Sequence, residues 1–235
     1  MCETTSSSLP RAMISRSALA AGASAAVRAG GRVADLRRDA WGHGVLAVAQ
    51  AVTAAGAERV LVDASGEVEA LRLERIEGIM TGVPDIDPHL LYGLPRDGGD
   101  ALIARPAMRL TGRVLSTKRL RVGDAVSYGY AYRATAETTV ALVTGGYAQG
   151  IVRALGNRAH VEVGHVARRI VGRVAMDVCV VDLEGDDAEV GTEVTYFGGE
   201  GPARQAIMRW AAVTGMGAAE LATVAGAHAV RGWEA

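Results

Sequence analysis

The run AMRLTGRVLSTKRL, residues 107–120, decides how the chain is read. Apolar and β-branched residues alternate with polar ones along it, the period of a strand with one face buried. More such runs follow: DAVSYGYAY (124–132), TTVALVTGG (138–146), AHVEVGHVARRIVGRVAMDVCVVDL (159–183) and TEVTYFGG (192–199). Glycine and aspartate separate them at intervals of roughly 8–15 residues, which predicts a compact β barrel or sandwich. A helix over ARQAIMRWAAVTG (203–215) and an irregular tail are expected to close the chain.

Upstream of Pro106 the texture is different. LAAGASAAVRAG (19–30) predicts an alanine-rich helix stopped by glycine, and GRVADL (31–36) a short strand. GVLAVAQAVTAAGA (44–57) has helical spacing, RVLVDAS (59–65) reads as a strand, and GEVEALRLERIEG (66–78) as a helix with acid in its first turn. Strand and helix in alternation with short connections indicate parallel α/β units. Residues 81–106 carry four of the six prolines and predict loops around one short strand, HLLYGL (89–94). The expected division is therefore an α/β segment, 1–105, and a β domain, 106–235.

The 235 residues suffice for one large or two modest cores, with 49% hydrophobic and 4% aromatic residues. A net charge of −1 gives no footprint for nucleic acid. The first residues, MCETTSSSLPRAMISR, carry an early acid and are broken by Pro10, Arg11, Ser15 and Arg16. No signal peptide or membrane span is expected from that pattern. Cys2 and Cys179 make no disulfide framework, and the expectation is a cytoplasmic protein. Of 25 basic residues only Lys118 is a lysine.

From RPAMRLTGRV (105–114) through VSYGYAYRA (126–134), TTVALVTGGYAQG (138–150), RALGNRAHVEVG (153–164), IVGRVAMDVCVVDL (170–183) and VGTEVTYFG (190–198), the second half resembles the C-terminal domain of alanine racemase. DAWGHG (39–44) is similar to that family's DAYGHG at the end of the first barrel strand, and LLYGLP (90–95) to its final barrel strand. The resemblance implies an α+β chain: a truncated remnant of an N-terminal (β/α) barrel followed by a mainly-β, barrel-like C-terminal domain. Eight β/α units typically need ~250 residues, so two or three fit before residue 105. A partial barrel leaves sheet edges to be covered by a helix, a loop or an oligomer partner.

The resemblance also implies an isomerase dependent on pyridoxal phosphate that interconverts L- and D-alanine for D-alanine and cell-wall synthesis. Its cofactor lysine falls at Arg37, two positions before DAWGHG. A guanidinium stays protonated and is no amine nucleophile. The phosphate-binding tyrosine is matched by Trp41, and the arginine facing the pyridine nitrogen by Ile86. Backbone phosphate contacts are matched by Pro88 and His89, and Pro88 has no N–H. In HAVRGW (228–233), Trp233 stands where a phosphate-contacting tyrosine is expected. The other side of the site is kept: Tyr128 matches the second acid–base residue and Met176 the substrate-pocket methionine. Tyr147, Arg153 and Arg173 match the access channel, Asp177 follows the methionine, and Gln149 stands where aspartate is common. Tyr128 and Met176 equally suit a packing role.

These positions predict a racemase-like chain that is catalytically impaired alone, with no cofactor contact retained. The alternative is a non-catalytic partner that pairs with an intact racemase and lends Tyr128 in trans; either a homodimer or such a heterodimer is expected. Lys118, in a strand-turn pattern, reads as a solvated lysine. His160 and His165 lack the carboxylate or cysteine company of a metal site, so no metal is expected. LEGDDAE (183–189) reads as a solvated turn, and His43 as a core or turn residue.

Overall fold

The structure, a computed structural model, describes residues 9–96 and 104–235, in two compact units. One comprises Ala12–Arg109 with Met216–Ala227 and Arg231–Ala235; the other comprises Leu110–Gly215 with 9–11 and His228–Val230. Among the described residues no helix is long and apolar enough to cross a membrane.

In the first unit, β1 (Arg11–Ser15) runs into α1 (Arg16–Arg28), whose start is capped by Ser15 Oγ accepting from Ala18 N at 3.2 Å. The parallel units follow as β2 (Val33–Asp35), α2 (Val45–Ala54), β3 (Arg59–Leu61), α3 (Ser65–Leu73) and β4 (Gly78–Ile79). Their sheet has the order β2-β3-β4, with Val33 opposite Arg59 and Val60 opposite Gly78. The chain then returns to the outer side of β2, where the N–H groups of Asp85 and Ile86 both donate to Val33 O at 3.0 Å. Asp85 Oδ1 accepts from Arg32 N and Val33 N at 2.7 and 2.6 Å, so this edge of the sheet is covered by the chain itself.

The strand expected at HLLYGL is instead a helix, α4 (Pro88–Tyr92). Its apolar run is short enough to suit either element, and the caps decide. Asp87 Oδ1 accepts from His89 N at 2.9 Å, Pro88 occupies the first turn, and Gly93 closes the end at φ +64°.

The second unit is a closed antiparallel barrel. β5 (Met108–Leu120) is its long strand, followed by the short pair β6 (Ala125–Val126) and β7 (Tyr132–Arg133). Then come β8 (Thr138–Thr144), β9 (His160–Val163), β10 (Val166–Val171), β11 (Val178–Asp182) and β12 (Glu193–Phe197). The order is β12-β9-β10-β11-β8-β5, and β12 pairs β5 again. One half of β5 binds β12 from Leu110 to Arg113, and the other binds β8 from Val114 to Leu120. Register shifts at Val114/Ser116 and at Thr195/Phe197 supply the bend that closure requires. Leu110, Val143, Ile170, Val181, Val194 and Tyr196 are fully buried. The helix α5 (Ala206–Thr214) sets Trp210 edge-on to Tyr196 and Phe197, with centroids 6.2 and 5.3 Å apart. The tail read as irregular is ordered: α6 (Ala218–His228) is followed by β13 (Val230–Glu234).

The chain is thus α+β with a mainly-β closed barrel. In β5, a Cβ on Gly112 would penetrate Thr144 O and approach the Tyr196 ring to 2.9 Å. Gly112→Ala should therefore cost about 3 kcal/mol, the upper end for overpacking because one obstacle is backbone. A fall in the urea midpoint with an unchanged slope would report it.

Candidate functional site

The matched residues of the barrel unit come from three connections. The first follows β6. Ser127 takes φ +72°, and its hydroxyl accepts from Arg173 N at 2.6 Å and reaches Arg173 O at 3.0 Å. This joins the Tyr128 turn to the Gly172–Met176 connection. The second, Gly145–Gly150, lies along the same connection, with Tyr147 N donating to Ala175 O at 2.9 Å and Ala148 N to Met176 O at 3.0 Å. No side chain fits at Gly146, because a Cβ would overlap the Met176 carbonyl. Gln149 Oε1 accepts from Gly146 N at 2.9 Å, and its Nε2 donates to Asp177 Oδ1 at 2.7 Å. The departure from aspartate thus gives a neutral amide that bridges backbone and carboxylate. An aspartate facing Asp177 would repel it.

Arg153 ties the aromatic residues together. Its guanidinium carbon lies 5.9 Å from the Tyr128 ring centre and 5.8 Å from that of Tyr147. Three of the matched residues face outward: Tyr128 is 71% exposed, Met176 54% and Tyr147 42%. The structure therefore brings Tyr128, Tyr147, Arg153, Arg173 and Met176 into one connected surface. Lys118 lies on the exposed stretch of β5, opposite Val140. His160 opens β9, whereas His165 sits in the β9–β10 turn with Nδ1 3.3 Å from Glu162 Oε1. Among the described residues no three His, Cys, Asp or Glu side chains converge as a metal site. Cys179 is buried, its thiol pushed up to about 11 by burial, with Sγ 3.2 Å from Tyr196 Oη.

The other unit holds the altered positions. Arg38, Asp39, Ala40 and Trp41 form a left-handed turn with φ of 52–56°. Left-handed geometry costs roughly 1–2 kcal/mol per non-glycine residue, so the turn must be held from outside. Arg38 N donates to Asp63 Oδ2 at 2.5 Å, Asp39 Oδ1 accepts from Val45 N at 2.9 Å, and Asp39 Oδ2 pairs with Arg231. Arg37 Nε and Nη2 grip Asp35 Oδ1 and Oδ2 at 2.8 and 2.6 Å. That fork holds the Asp35 carboxyl below the usual range, against the opposing effect of partial burial.

Trp41 lies 5.6 Å from Tyr92, which stacks on His43 at 4.1 Å. Ile86 is buried, and Trp233 carries the Arg16 guanidinium 4.8 Å above its ring. Sequence reasoning passed over Asp35, Asp87, Ser127 and Tyr92. Asp87 was detectable as an N-cap before a proline; a carboxylate two residues from an arginine along a strand end carried no comparable signal.

These groups do not fit pyridoxal phosphate, the cofactor that the resemblance implies. The first unit, over its described residues and across 97–103, contains no lysine. Pro88 offers no N–H, and that of His89 is taken by Asp87.

The sequence profile of the alanine racemase C-terminal domain matches residues 107–232. An alanine racemase of Frankia casuarinae is 38% identical over 156 residues, covering 66% of this chain and 38% of the relative. One from Thermobifida fusca is 45% identical over 108 residues, covering 46% of this chain and 29% of the relative. The chain therefore spans well under half the length of the curated relatives it matches. The crystal structure of alanine racemase from a D-cycloserine-producing Streptomyces lavendulae aligns over 97% of each chain with a TM-score of 0.81 and 22% identity, a likeness of fold.

His43 gives this turn a pH dependence. Its Nδ1 donates to the carbonyls of Ala40 and Trp41 at 3.1 and 3.0 Å, leaving Nε2 buried without a partner. Burial therefore lowers its pKa to about 4. The folded state binds the proton less readily than the unfolded chain, so stability falls as pH drops below about 6.5. Urea unfolding should lose about 3 kcal/mol between pH 7 and 4 through this group, and His43→Phe should flatten that slope.

Proposed function

We propose, from the premise that this chain belongs to the alanine racemase family, that it does not racemise alanine alone and acts as a partner subunit. Its barrel unit would offer the Tyr128 surface to a complete racemase subunit. One observation carries this reading: Tyr128 is turned outward, and its turn is tied down by Ser127, while Arg153 lies against both tyrosine rings. A packing residue has no need of that exposure. Tyrosine, methionine and arginine are also the residue types enriched where protein surfaces meet.

In this role Tyr128 Oη exchanges the proton at the α-carbon of an alanine bound by the other subunit. Arg153 fixes the ring, and Met176 borders the substrate. The amine needed at the opposite face comes from the partner, since position 37 here is an arginine engaged by Asp35. The short parallel sheet β2-β3-β4 is read as what remains of a (β/α) barrel, too small to enclose a substrate by itself. The setting implied is D-alanine supply, in the compartment where the complete enzyme works.

The test mixes this chain with a complete alanine racemase, such as the Thermobifida fusca relative, whose own matching tyrosine has been changed to phenylalanine. Co-elution on size exclusion and a rise in racemisation of at least about tenfold are expected, and Tyr128→Phe should abolish the rise. Separate elution with activity left at the crippled level would sink the proposal.

A further inference from the structure

At two of the places where the family's cofactor would be gripped in the first unit, residue 37 and residues 88–89, a carboxylate of this chain already occupies the hydrogen-bonding position. We infer that Asp35 and Asp87 substitute for the cofactor, so that Arg37 and α4 are set without it and the chain takes up no pyridoxal phosphate there. The inference rests on the family reading but not on the partner role.

The covalent position comes first. Arg37 is held along two parallel N–H···O bonds by Asp35, a geometry that only a guanidinium makes. Changing Arg37 to lysine would not by itself restore a reactive amine. An ammonium beside Asp35 is stabilised in its charged form, and a protonated amine has no lone pair to add to an aldehyde. Two adverse features therefore coincide here, the arginine and the carboxylate that would quench a replacement.

The phosphate position is closed in a second, independent way. The first turn of α4 has one donor removed by Pro88, and its neighbour, His89 N, is bound by Asp87 Oδ1 at 2.9 Å. The other oxygen of Asp87 pairs with Arg96. A phosphate would have to displace a carboxylate from both partners and then sit beside it, which like-charge repulsion disfavours. Trp41 brings no hydroxyl, and its ring is already packed 5.6 Å from Tyr92.

Pyridoxal phosphate itself is the probe, and Lys118 is an internal standard, being the chain's own lysine on an exposed strand. The chain is incubated with the aldehyde, reduced with borohydride and mapped by mass. In this reaction an amine adds to the aldehyde carbon, water leaves, and hydride reduces the C=N bond. In R37K the introduced amine should label at least about fivefold more slowly than Lys118, and D35N/R37K should bring it to within about twofold.

Labelling in R37K as fast as at Lys118, or no gain on removing Asp35, would overturn the role of Asp35. A separate measurement needs no variant: thermal unfolding of the natural chain should shift by less than about 1 °C in millimolar pyridoxal phosphate. A rise of several degrees would overturn the inference as a whole. Neither result bears on whether the chain co-elutes with a complete racemase.

Discussion

The barrel closes on β5, and Gly112 lets its neighbours approach there. A single strand closes the ring, bonding β12 along one half and β8 along the other. Where the halves meet, Thr144 O and the Tyr196 ring fill the space that a side chain would claim. Tyr196 Oη donates to that same Thr144 carbonyl at 2.7 Å, so the point of closest approach is also a buried hydrogen bond. Removing the glycine would separate two strands and break this bond together.

What the barrel carries follows from that closure. Thr144 ends β8, and the next residues, Gly145 and Gly146, begin the connection that holds Tyr147 and Gln149. Gly145 N donates to Asp177 O at 2.8 Å, which places the residue after Met176 one hydrogen bond from the end of β8. Ser127 then brings the Tyr128 turn to Arg173. The outward surface is thus built from connections whose starting points the barrel strands fix. Its geometry therefore requires no long-range device beyond the sheet.

The sequence was most legible where periodicity and turn chemistry agreed. Most of the β runs after Pro106, the alanine-rich first helix and the two parallel units lie where their patterns put them, but DAVSYGYAY is broken by a tight turn at Tyr128–Tyr130 and the helix expected over 66–78 stops at Leu73. Legibility failed at 89–94, where an apolar run was read by composition although Asp87, Pro88 and Gly93 spell a capped helix. It failed again at the tail, where alanine-rich residues 218–228 were judged irregular. Of the site, residue identities were readable but partnerships were not. Arg37 could be recognised as an arginine, while its engagement by Asp35 depends on the strand ending just there. The left-handed run Arg38–Trp41 contains no glycine, the two nearest, Gly42 and Gly44, lying behind it, and no local rule predicts four such residues in sequence.

The two units differ most in where their polar groups find partners. A residue that performs chemistry must keep hydrogen-bonding capacity that its own fold has not used. Tyr128 Oη makes no hydrogen bond among the described residues, and its ring stands 71% exposed. In the other unit Asp35, Asp39, Asp85 and Asp87 each hold a backbone N–H, an arginine or both. Among the described residues of that unit, the buried side-chain atoms left without a partner are His43 Nε2, Tyr92 Oη and Arg231 Nε. The left-handed turn is held by side-chain carboxylates, those of Asp39 and Asp63.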